Sequence, residues 1–249
     1  MLSIQSISAY RNTKYGIIYS DKNSLNKRNT NLSFGSGIIN PIISKYMQIL
    51  ANPAKALAMK EKGIRVLKRD CIEQLKNDKL KKLCEIVFEK SPVEMFVVPA
   101  SSQGKNHPAD EFYPGSMVKH TKRVFQMAKY AITRYGLDEK EQDLVLTAAM
   151  LHDFPTKFIP DGAIAYKKGV DHAVNNAIFI ENEMKQMGFE EKIIEKVCAG
   201  VGFHSGRFDA HVNKDWLERY KMYQNTPYAF IVQEADYYAS RPQVFVKID

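Results

Sequence analysis

The chain has 249 residues, of which 45% are hydrophobic and 26% charged, so it can bury the core of one large domain with an extension. No apolar run approaches the roughly 20 residues of a membrane span, and the N-terminus lacks a basic region followed by a hydrophobic stretch. We therefore expect a cytoplasmic protein without a membrane partner. The formal net charge of +8 favours anionic partners, although the lysines are spread over helical faces and form no long block.

Composition divides the chain into three predicted parts. Residues 1–40 are rich in Ser, Asn, Lys and Gly, which predicts a flexible N-terminal segment, or at most a weak hairpin. Residues 41–98 show helical periodicity and predict a helical extension, and residues 99–249 form the third part, which we predict to be the functional domain. The cysteines are odd in number and show no CxxC pairing, which indicates reduced core thiols at Cys71, Cys84 and Cys198.

Local signals predict where the elements of the extension begin and end. Asn52 and Pro53 are an N-cap and a first-turn proline, and Gly63 can end the short helix that follows. A longer helical region is predicted from Ile64 to the proline break after residue 90. Residues 94–99 predict a short strand or an extended connection.

The third part carries further helix signals and little else. Asp138 and Glu141 form a capping box for a helix that ends at His152 and Asp153. Other helices are predicted at residues 115–135, from Asp171 to 187, at 190–201, and from Thr226 and Pro227 onward. Since nearly every predicted element is helical, the predicted fold class is all-α.

The pair His152 and Asp153 follows an apolar helix, where a charged carboxylate costs several kcal/mol unless it is paired or binds a metal. Alone, the pair is typical of a capped helix end, and a lone histidine on an apolar face is typical of a satisfied core residue. Four histidines and two aspartates recur, however, at the ends or on the apolar faces of successive helices: His120, His152, Asp153, His172, His204 and Asp236. Helical bundles place metal ligands in their shared interior in this way.

The chemistry of this set indicates a divalent ion. Neutral imidazoles and carboxylates suit Fe, Mn or a similar metal, and the lack of thiolate argues against a structural zinc. Two divalent ions with two carboxylates leave a site charge of about +2, which would hold a phosphate. Bound water would then lose a proton near neutral pH.

The order of these residues resembles the HD-domain superfamily of metal-dependent phosphohydrolases, over residues 107–241. The resemblance includes residues 113–116 (Tyr-Pro-Gly-Ser), 148–153 (Ala-Ala-Met-Leu-His-Asp) and 234–241 (Glu-Ala-Asp-Tyr-Tyr-Ala-Ser-Arg). It implies an HD-domain-like helical bundle. It also implies a first metal on His120, His152, Asp153 and Asp236. His172 and His204 match the extra positions of the binuclear type, in which the aspartate after the histidine, here Asp153, bridges both ions.

The resemblance implies cleavage of a phosphate ester or anhydride of a nucleotide-type substrate by a metal-bound hydroxide, as in bacterial diadenosine-tetraphosphate hydrolases and some HD nucleotidases. The implied cofactor is two divalent transition-metal ions, Fe or Mn first, with Mg, Ni and Co as alternatives. A 3′-5′ exonuclease or cyclic-nucleotide phosphodiesterase of the same fold stays open, with nucleic acid as an alternative partner. A non-catalytic HD-fold signalling module is a further alternative, although such modules tend to lose the metal-ligand residues. The sequence predicts no oligomeric state.

Basic residues near the predicted ligands are candidate phosphate contacts. The family usually has an apolar residue, Gly and Lys after the His-Asp pair, whereas Phe-Pro-Thr precedes Lys157 here, so the basic group is displaced by one residue. Arg207 is a second candidate because its planar fork matches phosphate oxygens, although an exposed loop arginine fits equally well. The catalytic candidates are thus Asp153, Lys157 and Arg207. His107 and His211 lie in polar segments and are predicted to be surface residues, and Lys167 and Lys168 are predicted to lie in a solvated turn.

Overall fold

A computed structural model describes residues 18–19, 41–101, 107–155, 172–206 and 214–245. The helices in this part are α1 (Pro41–Leu50), α2 (Pro53–Asp70), α3 (Asp78–Lys90), α4 (Ser116–Ile132), α5 (Glu139–Leu151), α6 (His172–Gln186), α7 (Glu191–Gly202), α8 (Lys214–Tyr220) and α9 (Pro227–Ala239). Short 3-10 turns lie at Ile72–Gln74, Val93–Phe96, Ala109–Glu111 and Lys221–Tyr223. Two short strands, β1 (Ile18–Tyr19) and β2 (Val244–Phe245), pair antiparallel. The predicted all-α fold class is confirmed.

Several helix starts are where the capping residues predict them. The side chain of Asn52 accepts a hydrogen bond from the Lys55 amide at 3.1 Å at the start of α2. Asp138 accepts one from the Glu141 amide at 2.9 Å at the start of α5. These bonds satisfy amides that have no partner inside the helix. The local sequence therefore determines where these helices begin.

The structure corrects three predictions in the extension. Gly63 does not end a helix but lies inside α2, where a Cβ would meet Cδ1 of the Phe96 ring at 2.6 Å. The predicted long helix from Ile64 is broken after Asp70, and Asp143 of α5 accepts hydrogen bonds from the amides of residues 76 and 77, just before α3. Residues 94–99 form no strand, since a 3-10 turn ends at Phe96. In the first two cases the deciding partner is distant in sequence.

Helix α5 lies at the centre of the helical packing and is buried from Asp143 to its last residue, Leu151. Helix α7 packs closely against it at Gly200, where a Cβ would lie 2.7 Å from the Ala148 Cβ and 3.1 Å from the carbonyl oxygen of Tyr228 on α9. The missing side chain lets α7 approach both neighbours. This packing sets the positions of the ends of α5 and α7.

Helices α2 and α3 of the predicted extension share the main hydrophobic core with the rest of the described chain, whereas Ile49 of α1 lies in a second, smaller cluster with Ala56 and Val97. Leu67 of α2 and Phe88 of α3 belong to the same buried cluster as Met150 of α5. The division at residue 98 therefore stays a prediction. All three cysteines are buried free thiols, as predicted. Among the described residues, no helix is both long and apolar enough to span a membrane.

Removing residues 1–40 is expected to leave folding and metal uptake intact. The composition of this segment cannot build a core, and its two described residues contribute one two-residue pairing to β2. We expect the 41–249 chain to lose no more than about 4 °C in Tm, which corresponds to about 1 kcal/mol. Circular-dichroism melting and metal analysis of both chains check this. A truncated chain that melts more than about 4 °C lower, or that takes up less metal than the full chain, would contradict it.

Candidate metal centre

Five helices contribute the predicted ligands, all at or near helix ends. His120 lies one turn into α4, and His172 is the first residue of α6. His152 and Asp153 directly follow α5, His204 lies two residues beyond α7, and Asp236 lies in the last turn of α9. The structure brings all six side chains together, in overlapping groups whose ligand atoms lie within 4.8 Å of one another.

Four of these residues form a first cluster around the end of α5. The Nε2 atom of His120 lies 3.0 Å from Asp236 Oδ1 and 3.8 Å from Asp153 Oδ2. The Nε2 atom of His152 lies 3.2 Å from Asp153 Oδ2 and 3.7 Å from Asp236 Oδ1. Two imidazole nitrogens and two carboxylate oxygens thus face one small volume.

The other carboxylate oxygen of Asp153 faces a second cluster. Asp153 Oδ1 lies 3.3 Å from His172 Nε2 and 3.6 Å from His204 Nε2, and these two nitrogens lie 3.2 Å apart. Asp153 therefore presents one oxygen to each cluster. This is the arrangement that a bridging carboxylate needs.

Backbone hydrogen bonds orient two of the imidazoles. His152 Nδ1 lies 2.8 Å from the carbonyl oxygen of Ala149, and His204 Nδ1 lies 2.6 Å from that of Val201. A carbonyl oxygen only accepts, so both Nδ1 atoms carry a proton, and in a neutral imidazole of this tautomer Nε2 presents its lone pair to the clusters. The buried Nε2 of His152 makes no hydrogen bond within the described residues. A divalent cation among these acceptors fits the residues present.

Burial and neighbouring charges shift the pKa values of two ligands in opposite directions. Burial opposes protonation of His120, but the carboxylates of Glu111 and Asp236 outweigh it and raise the pKa to about 9. Burial, together with the neighbouring His152 and His172, lowers the pKa of His204. His204 is therefore neutral at pH 7, as a ligand must be, while metal binding at His120 has to displace a proton.

Sequence reasoning missed a second layer around the ligands. Glu111, on the 3-10 turn before α4, is completely buried, and its Oε2 lies 3.2 Å from His120 Nδ1. Asn176, one turn along α6 from His172, donates its amide to the His152 carbonyl oxygen at 2.9 Å. Nothing in the sequence distinguishes Glu111 from its acidic neighbour Asp110. Only the folded chain shows which of the two carboxylates points inward.

The prediction that His107 is a surface residue is wrong. Its side chain is 13% exposed, and its Nδ1 lies 2.7 Å from Glu111 Oε2. The buried carboxylate draws the imidazole inward because both groups then gain a hydrogen-bond partner. Other predicted residues lie outside the described residues, and their roles stay predictions: Lys157, Lys167, Lys168, Asp171, Arg207 and His211.

Comparison with protein families gives one match, in which a model of the HD domain covers residues 117–241. The chain belongs to the HD-domain superfamily. The matched residues include all six predicted ligands, from His120 to Asp236. HD domains bind divalent metals and are usually hydrolases, which agrees with the chemistry of the buried His and Asp clusters. Neither the curated proteins nor the solved structures include a match to this chain.

Proposed function

We propose that this HD-domain protein is a binuclear metal-dependent phosphohydrolase that cleaves a phosphate ester or anhydride of a nucleotide-type substrate. The observation that carries the proposal is the division of the Asp153 carboxylate, with Oδ2 facing His120 and His152 and Oδ1 facing His172 and His204. Imidazole and carboxylate ligands without thiolate favour iron or manganese.

Exposure of the ligand side chains indicates where substrate reaches the centre. His120, His152 and Asp153 are completely buried, whereas the side chains of Asp236 and His172 are 21% and 26% exposed. The exposure of these two ligands supports an approach of the substrate from the side of Asp236 and His172. A phosphate group entering there meets the edge of both clusters.

In this proposal the residues of the chain would hold the metal ions in a site where three ligand side chains are completely buried. Divalent ions, when bound, lower the pKa of water and neutralise charge that develops on phosphate oxygens. His120, His152, Asp153 and Asp236 would hold the first ion, and His172 and His204 would complete the second with Asp153. Because most ligand atoms are buried, their charges act through a medium that screens them less than bulk water does. Lys157 and Arg207 are proposed phosphate contacts.

Metal analysis followed by a substrate screen tests the proposal. Protein purified without chelator is expected to carry close to two transition-metal ions per chain. It should then hydrolyse at least one member of a panel of mononucleotides, dinucleoside polyphosphates, cyclic nucleotides and short oligonucleotides. The chelator-stripped protein is the control and should be inactive until Mn²⁺ or Fe²⁺ is restored. A protein that takes up neither metal would refute the proposal and favour a non-catalytic module.

A further inference from the structure

We propose that Glu111 is a positioning residue for the metal centre: it accepts a hydrogen bond from Nδ1–H of His120, so that Nε2 is the nitrogen that gives up its proton to a metal ion and faces the first cluster. The inference rests on the metal binding proposed above. It concerns a residue that lies outside the matched segment of the chain, six positions before its start at Met117.

The position of His120 within its helix explains why a side chain, and not the backbone, accepts the hydrogen bond from its Nδ1. His152 and His204 follow the ends of α5 and α7, where backbone carbonyls of the last turn lack helical partners and accept the Nδ1 protons. His120 instead lies inside α4, where the carbonyls are engaged in helical hydrogen bonds. With no backbone acceptor available, another group must accept the Nδ1 proton. The structure provides the Glu111 carboxylate, 3.2 Å away.

A hydrogen bond to the second carboxylate oxygen, Oε1, fixes the position of Glu111. Arg123 lies on α4, three residues after His120, and donates from Nη1 to Glu111 Oε1. Its Nη2 donates to Asp110 Oδ2 at 2.7 Å. Both Glu111 and Arg123 are buried, so each would be costly to leave unpaired. The ion pair therefore fixes the carboxylate against the imidazole before any metal arrives.

The carboxylate also affects how strongly His120 can bind a metal. A carboxylate that accepts the Nδ1 proton of a ligating histidine raises the basicity of the opposite nitrogen, and losing it typically costs about 10- to 100-fold in metal affinity. Asp110 provides a matched comparison because it pairs with the same arginine but is 43% exposed on its side chain. It makes no described contact with a ligand residue. Of these two neighbouring carboxylates, Glu111 is the one with a described contact to His120.

The test compares Glu111→Gln with Asp110→Asn in chelator-stripped protein. We expect Glu111→Gln to raise the Kd for Mn²⁺ by about 10- to 100-fold, and Asp110→Asn to change it by less than about threefold. Titration calorimetry gives each Kd, and melting of the metal-free proteins separates affinity from stability. A merely structural role would lower the Tm of metal-free Glu111→Gln and leave its Mn²⁺ affinity unchanged, which would overturn the inference.

Two further outcomes keep the test decisive. A wild type that binds no Mn²⁺ would overturn the proposed function together with this inference, whereas tight binding by both the wild type and Glu111→Gln would overturn the inference alone. If Glu111→Gln does not fold, ¹⁵N NMR of the Zn²⁺-loaded wild type replaces it. The inference requires a protonated Nδ1 and a proton-free Nε2 on His120, and the opposite tautomer would contradict it.

Discussion

Replacement of Asp153 with alanine is expected to abolish metal binding at both clusters and with it all phosphohydrolase activity. The carboxylate faces both clusters, since Oδ2 lies 3.2 Å from His152 Nε2 and Oδ1 lies 3.3 Å from His172 Nε2. Its removal takes a negatively charged ligand from each ion. Elemental analysis should show metal content falling from about two ions per chain to nearly none.

A matched variant separates this effect from misfolding. Asp143 is also a buried aspartate of the α5 region, but it accepts amide hydrogen bonds from Lys76 and Asn77 and lies at the other end of the helix. Asp143→Asn should lower the Tm and keep the metal. Metal-free Asp153→Ala should still melt in one cooperative transition, because the helices that carry the ligands are held together by a large buried hydrophobic cluster. An Asp153→Ala protein that retains one tightly bound ion would show that the clusters are independent.

Changing His172 or His204 to alanine separates a binuclear centre from a mononuclear one. Either change removes a ligand of the second cluster and leaves the four atoms of the first in place. We expect about one ion per chain and a rate lower by at least about 100-fold, because one of the two charges that stabilise the attacking and leaving oxygens is lost. Metal analysis and steady-state kinetics of each variant provide the measurement.

His107 offers the control for these histidine variants. Its Nδ1 lies 2.7 Å from Glu111 Oε2, and it forms a group with Glu111 and His120 whose ligand atoms lie within 4.8 Å of one another, but it is not one of the six predicted ligands. His107→Gln should therefore retain close to two ions. A wild type with about one ion per chain, together with fully active His172→Ala, would show that the second cluster is not a metal site.

The sequence predicts those parts of this molecule that depend on local chemistry. Asp138 caps α5 through its own neighbour, and the apolar run before His152 predicts a buried helix because its residues are consecutive. The six ligand positions follow from residue type and order. Their roles as metal ligands stay predictions, because the convergence of these side chains does not by itself demonstrate a bound metal ion.

The parts that sequence reasoning missed depend on contacts between distant segments. The local sequence of Gly63 is typical of a helix end, but in the structure the Phe96 ring packs against it at a distance that leaves no room for a Cβ. The local sequence of His107 is typical of a surface residue, but its imidazole is hydrogen-bonded to the buried carboxylate of Glu111, four positions later. The choice between Asp110 and Glu111 depends on a turn whose direction no local signal determines. Such partners become visible only in three dimensions.

The contact between His120 Nε2 and Asp236 Oδ1, 116 positions apart in sequence, has a consequence for unfolding. An ion held there binds the assembled chain and not its separated segments, so its binding free energy adds to the stability of α4, α5 and α9 together. At a free metal concentration of 100 times Kd, this linkage contributes about 2.7 kcal/mol. Partial unfolding events that separate any of these helices would then become about 100-fold rarer. Amide hydrogen exchange in all three would then slow in parallel as the metal concentration rises.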